Sequence, residues 1–170
     1  NKVVLMGDVV DNHAISFHEK DPDGHADGKE IKLAIKQLSK WSEAFPKALV
    51  CYGNHDKLTD RKALAFGLSK LRIKSLNEVY NLPNTWKWAY NHEIDGVIYT
   101  HGTGLSGKNG ALNATIGTRK STIIGHIHSF AGIQYTASEK DILFGMNVGC
   151  GVDINSYSQA YGRNFLNRPI

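Results

Sequence analysis

The chain has 170 residues, 41% of them hydrophobic and 21% charged, which is enough apolar material for one core and too little for two. No apolar run approaches the roughly 20 residues that span a bilayer, and the opening NKVVLMGD is too short an apolar stretch to be a secretion signal. A net charge of +4 and a pI near 9.0 are compatible with a polyanionic partner without requiring one.

Val3 to Met6 is a continuous apolar run ending at Gly7-Asp8, which suits a strand buried on both faces, as in α/β proteins. Residues 17–28 are rich in Asp, Gly and His and read as a loop. Ile31, Ala34, Ile35, Leu38, Trp41 and Phe45 then keep helical spacing until Pro46 closes the pattern. Ala48 to Tyr52 reads as a second buried strand, ending at Gly53-Asn54-His55-Asp56. A second helix is expected from about Thr59, as N-cap, to Lys70. Residues 79–92 hold Tyr80, Trp86, Trp88 and Tyr90 and give no clear periodicity. Val97 to Thr100 reads as a strand ending at His101-Gly102, and a glycine-dotted stretch follows to Gly117. Thr122 to Ile124 reads as a strand ending at Gly125-His126-Ile127-His128. Ile133–Ala137 and Ile142–Val148 read as a β-hairpin around Ser138-Glu139-Lys140-Asp141.

There is no internal repeat or linker, so residues 1–170 read as a single domain. The chain opens inside an apolar run and stops at Arg168-Pro169-Ile170, and both ends read as cut from a longer protein. Cys51 and Cys150 read as reduced, partly buried thiols, which fits a cytoplasmic protein, and their spacing offers no zinc-finger pattern.

Four expected strands thus end in small clusters of Asp, Asn or His beside glycine, and in open α/β sheets ligands bind just outside the carboxyl ends of the strands. Singly, each cluster is weak; together, and in this order, they are specific. An aspartate can bridge two cations and offset their repulsion, while imidazoles and an amide oxygen fill coordination sites without adding negative charge near an anionic substrate. Mixed N and O donors suit Mn, Fe, Zn or Ni better than Mg or Ca. Two such ions can hold a hydroxide between them and orient a phosphoryl group for in-line attack.

The ordered motifs Gly7-Asp8-Val9-Val10-Asp11, Gly53-Asn54-His55-Asp56, His101-Gly102 and Gly125-His126-Ile127-His128 resemble those of the calcineurin-like metallophosphoesterases, from Gly7 to about Asn147. The resemblance implies a two-sheet β-sandwich flanked by helices, a dinuclear metal site at the strand ends, and hydrolysis of phosphate esters. It implies Asp8 as the bridging carboxylate, with Asn54, His101 and His126 completing one metal site and His128 binding the other metal. It makes His55 the histidine that contacts the phosphate or protonates the leaving oxygen, and Asp11 the residue that orients it.

Two departures bear on this. The family pattern begins with an Asp-x-His motif on an earlier strand, which supplies two ligands to the first metal, and Asn1 is the first residue here. A strand lost from the N-terminus, a one-metal enzyme and a degenerate one stay open. His13, His18 and His25, in or near the acidic loop, could in principle substitute for the missing ligands, but read rather as solvated loop histidines, or His13 faces the substrate. Secondly, Asn12-His13 and Asp56 stand where the protein Ser/Thr phosphatases have Arg-Gly and Glu, which points toward phosphodiesterases, nucleases and phage-type members. A nuclease acting on DNA or RNA, and a silent binding module with a degenerate metal site, are the alternatives.

Four further features read two ways. Asp56 is a turn cap or a site residue, and Asn147 lines the site or forms a turn. Trp86, Trp88 and Tyr90 stack on a base or pack in the core. Lys57, Arg61, Lys62, Lys70, Arg72 and Lys74 meet a phosphate backbone or form a solvated helix face.

Overall fold

A computed structural model describes residues 2–152. The fold is α/β, with a three-stranded and a five-stranded sheet. The smaller sheet is all parallel, in the order β1 (Val4–Leu5), β2 (Ala48–Cys51) and β3 (Trp86–Ala89). The larger consists of β4 (Asn91–Ile94), β5 (Val97–Thr100), β6 (Thr122–Ile124), β7 (Ala131–Ala137) and β8 (Ile142–Val148), in the order β4-β5-β6-β8-β7. Within it β5, β6 and β8 run parallel, while β4 and β7 close the two edges as antiparallel strands. The reading of the C-terminal end around Arg168 lies outside the described residues.

Helix α1 (Asp27–Ala44) begins two residues inside the expected loop and ends before Pro46, which cannot supply the next backbone donor. Its Leu38 packs with Ala48, Val50, Tyr80, Leu82 and Trp86 in the core beside the smaller sheet. Trp86 is 1% exposed, and its indole N–H donates to the Phe45 carbonyl at 2.9 Å, so its one polar atom is satisfied. A second cluster, Ala111, Ile124 and Ile127, packs between the larger sheet and α4 (Gly110–Thr118).

Three expectations change. The helix expected over Thr59–Lys70 is α2 (Leu58–Ala65), which stops at Gly67 in the left-handed region, after which Ser69 starts a separate 3-10 turn over Lys70–Arg72. Residues 79–92 hold the end of a one-turn helix, α3 (Leu76–Val79), followed by β3 and β4. Helix α3 carries a capping box between Ser75 and Glu78, a local signal that outweighs its short length. The glycine-dotted stretch contains α4, which keeps helical form because it lies against β8 rather than from intrinsic propensity.

Among the described residues no helix is long and apolar enough to cross a membrane. Cys51 and Cys150 are both free thiols and both buried. Trp86→Ala is expected to cost about 3–5 kcal/mol by urea denaturation, from the cavity and the stranded Phe45 carbonyl; a loss below about 1 kcal/mol would place the core elsewhere.

Candidate metal centre

The loops after β1, β2, β5 and β6 converge. His101, one residue past β5 and 2% exposed, is the hub. Its Nδ1 lies 2.7 Å from the Met6 carbonyl oxygen. A carbonyl can only accept, so Nδ1 carries the proton and, in the neutral ring, Nε2 presents a lone pair. Around that lone pair stand Asp8 Oδ2 at 3.0 Å, Asn54 Oδ1 at 3.2 Å and His126 Nδ1 at 3.2 Å.

One proton on Nε2 can serve Asp8 or Asn54 but not both, while His126 Nδ1 accepts or donates according to its tautomer. A cation is an alternative partner for all four atoms. Atoms about 2.1 Å from a shared transition-metal ion stand roughly 3.0–3.4 Å apart at ordinary coordination angles, which matches the three distances from His101 Nε2. Asp8, His101 and His126 each offer a ligand atom, and these atoms lie within 4.8 Å of one another. The donor set of two oxygens and two nitrogens fits a divalent transition metal.

Electrostatics agree with the geometry. Burial opposes charge on Asp8, but the His101 ring holds its carboxyl below the usual carboxylate range. Burial likewise works against a charged His101, yet Asp8 lifts it above the ordinary histidine value. His126 is pushed below that value by burial and then by the neighbouring His101. In the metal-free protein Asp8 and His101 therefore stabilise each other's charged forms.

The backbone is bent to make this arrangement. Asp8 (φ 50°) and His126 (φ 64°) both occupy the left-handed region, which costs about 1 kcal/mol or more for each non-glycine residue. Gly7 (φ 89°) has no room for a side chain, since a Cβ would stand 2.8 Å from Cys51 O, Gly53 N and His101 Nδ1. At Gly53 a Cβ would lie 2.0 Å from Asp8 Oδ1, in the path of the carboxylate itself.

Asp56 holds the strained loops together. Its Oδ2 accepts from Asp8 N at 2.7 Å and Gly53 N at 2.9 Å, and its Oδ1 accepts from Val9 N at 3.1 Å. Burial and the nearby Asp8 charge push its pKa up to about 6. It therefore clamps the turn after β1 onto the turn after β2, beyond a local cap. Asn147 plays the comparable part near His126: its amide donates to the Ile127 carbonyl at 3.3 Å and its oxygen accepts from Gly149 N at 3.0 Å.

His55 and Asp11 form the expected pair. His55 Nδ1 lies 2.6 Å from the Asp11 carbonyl oxygen and 3.1 Å from its carboxylate Oδ1, while the His55 backbone N–H donates to Asp8 Oδ1 at 2.8 Å. Burial alone would lower the His55 pKa, but the Asp11 hydrogen bond and the Asp8 charge raise it to about 9. His55, Asp11, Asp8, His101, His126 and His128 all line one cavity of about 610 Å³. His128 thus lines the same cavity but is not one of the three residues, Asp8, His101 and His126, whose ligand atoms lie within 4.8 Å of one another.

His13 does not belong to this surface. It is 3% exposed, and its Nε2 accepts from Asp21 N at 3.1 Å. The Glu30 carboxylate receives His13 N and Ala14 N, at 3.1 and 2.8 Å, so the segment is fastened to α1. The expectation of a solvated or substrate-facing His13 is corrected by that burial. Trp86 likewise belongs to the core and not to a stacking surface.

Comparison with protein-family models and with curated proteins found no match.

The His55–Asp11 pair makes a pH prediction. A raised histidine pKa contributes stability that is complete below about 6.5 and lost as pH rises through about 9. In metal-free protein, Asp11→Asn is expected to flatten the fall of Tm between those pH values; an unchanged profile would show that the pair is not coupled.

Proposed function

We propose that the protein is a metal-dependent phosphoesterase of the calcineurin-like kind, with a two-sheet sandwich carrying its metal site at the carboxyl ends of the strands. The observation that carries this reading is the convergence of Asp8, Asn54 and His126 on one imidazole nitrogen of His101. These four residues would hold one divalent cation. For a second cation the described residues offer Asp8 and His128 on the same cavity wall, which is short of a full shell, so they fit one ion and only half fit another.

When bound, such an ion supplies Lewis-acid polarisation of a phosphoryl oxygen and a water acidified enough to act as nucleophile. The protein's own groups do the rest. The Met6 carbonyl fixes the His101 tautomer that leaves Nε2 available. Asp11 engages His55 at Nδ1, which leaves Nε2 as the atom able to reach a ligand in the cavity. In the metal-free protein Asp11 and Asp8 raise the His55 pKa to about 9, and the Asp11 contact would favour a protonated ring that donates to the departing ester oxygen. The His55 backbone N–H donates to Asp8 Oδ1 at 2.8 Å, which ties the residue carrying the acid to the metal-binding carboxylate. The apolar walls Leu5, Leu38 and Trp41 narrow the water-accessible part of the cavity.

Asp8→Asn and His126→Ala are each expected to lower both metal loading and hydrolysis of an aryl phosphodiester by at least about a hundredfold. Atomic absorption on purified protein and a chromogenic ester assay measure the two quantities, and full activity in either variant contradicts the reading.

Metal affinity is also expected to fall with pH. A cation and a proton compete for His101 Nε2, and Asp8 raises the pKa of that ring. Below that pKa the affinity drops about tenfold per pH unit for one displaced proton. Manganese titration at several pH values reads this slope, and a pH-independent affinity would remove His101 from the ligand set.

A further inference from the structure

A second cavity, of about 640 Å³, is lined by Tyr52, Lys57, Lys70, Lys74, Lys87 and Trp88. It shares no lining residue with the first cavity. Lys70, Lys74 and Lys87 are exposed, and Asp60, paired with Lys57, is the one acid among the lining residues. The surrounding segment 57–74 has six cations, Lys57, Arg61, Lys62, Lys70, Arg72 and Lys74, against Asp60 alone. That segment carries +5 and the whole chain +4, so the positive excess of the protein is concentrated here.

Aromatic rings adjoin the lysines. Trp88 stacks on Tyr52 with centroids 5.5 Å apart and planes at 25°, and Tyr52 meets Tyr90 at 5.2 Å. Lys57 Nζ sits 4.5 Å from the Tyr52 ring centroid. The Trp88 indole N–H donates to Asn77 Oδ1 at 2.8 Å, which fixes the base of the file. At its outer end Tyr90 is 65% exposed, so its ring is open to a ligand. Tyr52 follows β2 and Tyr90 follows β3, and these strands are parallel. The file therefore stands at the same carboxyl end of the sheet as Gly53-Asn54-His55, with Tyr52 directly preceding Gly53.

A small anion would need the lysines and not the rings, and an apolar partner the rings and not the lysines. A chain of phosphates carrying flat, unpaired bases uses both, because every base has a face for stacking and every linkage a charge for lysine. We propose that this surface binds single-stranded nucleic acid, with bases on Trp88, Tyr52 and Tyr90 and phosphates on Lys57, Lys70, Lys74 and Lys87. The binding stands on its own residues; that the strand is also the substrate rests on the phosphoesterase reading above.

The test is fluorescence anisotropy of the full chain in EDTA with labelled dT12, rU12 and a 12-base-pair duplex, so that the Asp8 site contributes neither metal nor cleavage. Both single strands are expected to bind more tightly than the duplex, with dT12 against rU12 distinguishing DNA from RNA preference. Three to four neutralised phosphates give log Kd a slope of about 2–3 against log salt. Tyr90→Ala is expected to weaken binding about tenfold, and the combined Lys70→Glu, Lys74→Glu and Lys87→Glu variant by more, with circular dichroism confirming that each stays folded. Absence of binding, equal binding of the duplex, or an unaltered Tyr90→Ala affinity would each overturn the proposal. Oligonucleotide binding without aryl-ester hydrolysis would sustain this surface and remove the phosphoesterase reading; hydrolysis without oligonucleotide binding would do the reverse.

Discussion

His101 ties the molecule together through a single ring. One nitrogen, at 2.7 Å from the Met6 carbonyl, anchors the end of the five-stranded sheet to the first strand of the three-stranded one. The other faces Asp8, Asn54 and His126, which come from three further loops. The ring's orientation therefore sets both how the two sheets meet and where four ligand atoms point. Because Nδ1 must donate to a carbonyl, Nε2 is the nitrogen left to face the other three residues, as a donor to Asp8 when the ring is protonated and as an electron pair when it is neutral. His92 adds a second tie between the sheets, with its Nε2 3.0 Å from the Val50 carbonyl. That contact carries no chemistry and shows by contrast what is particular to His101.

Preorganisation of this kind has a cost, and the costs are visible. Asp8 and His126 are held in left-handed backbone, and Asp56 is a buried carboxylate that burial pushes toward protonation. The three N–H groups converging on Asp56 offset part of that penalty and prevent the Gly7–Val9 turn from relaxing. Glycine at 7 and 53 is then a steric necessity, since a side chain at either place would strike the site. Two of the six non-glycine residues with left-handed φ among the described residues, Asp8 and His126, present atoms to this site.

Much of this was legible in the residues. Strands β1, β2, β5 and β6 read as short apolar runs because they are flanked by other elements, and each ends where polar residues and glycine begin. Their order, with the resemblance it carries, brought Asp8, Asn54, His101 and His126 into one hypothesis, and the fold places those four together. What was not legible depends on contacts across long separations. Asp56 looks like a turn residue until the loop after β1, 48 positions earlier, supplies Asp8 N. His13 looks like a solvated loop residue until Glu30 pins its backbone. Helix α4 is poor in helix formers and exists through its contact with β8. Strands β3 and β4 mix aromatic with polar side chains at the junction of the two sheets, so neither period of two nor of 3.6 stands out. The lysine run was visible as charge; its alliance with Tyr52 and Tyr90 needed the parallel register of β2 and β3.

The central claim is that four atoms form one cation site. Crystals grown with manganese and measured by anomalous diffraction test it most directly. The account predicts an anomalous peak within coordination distance of Asp8 Oδ2, Asn54 Oδ1, His101 Nε2 and His126 Nδ1, with the His101–Met6 contact retained. Manganese bound only at other places, with a hydrogen bond filling the space beside His101 Nε2, would contradict it.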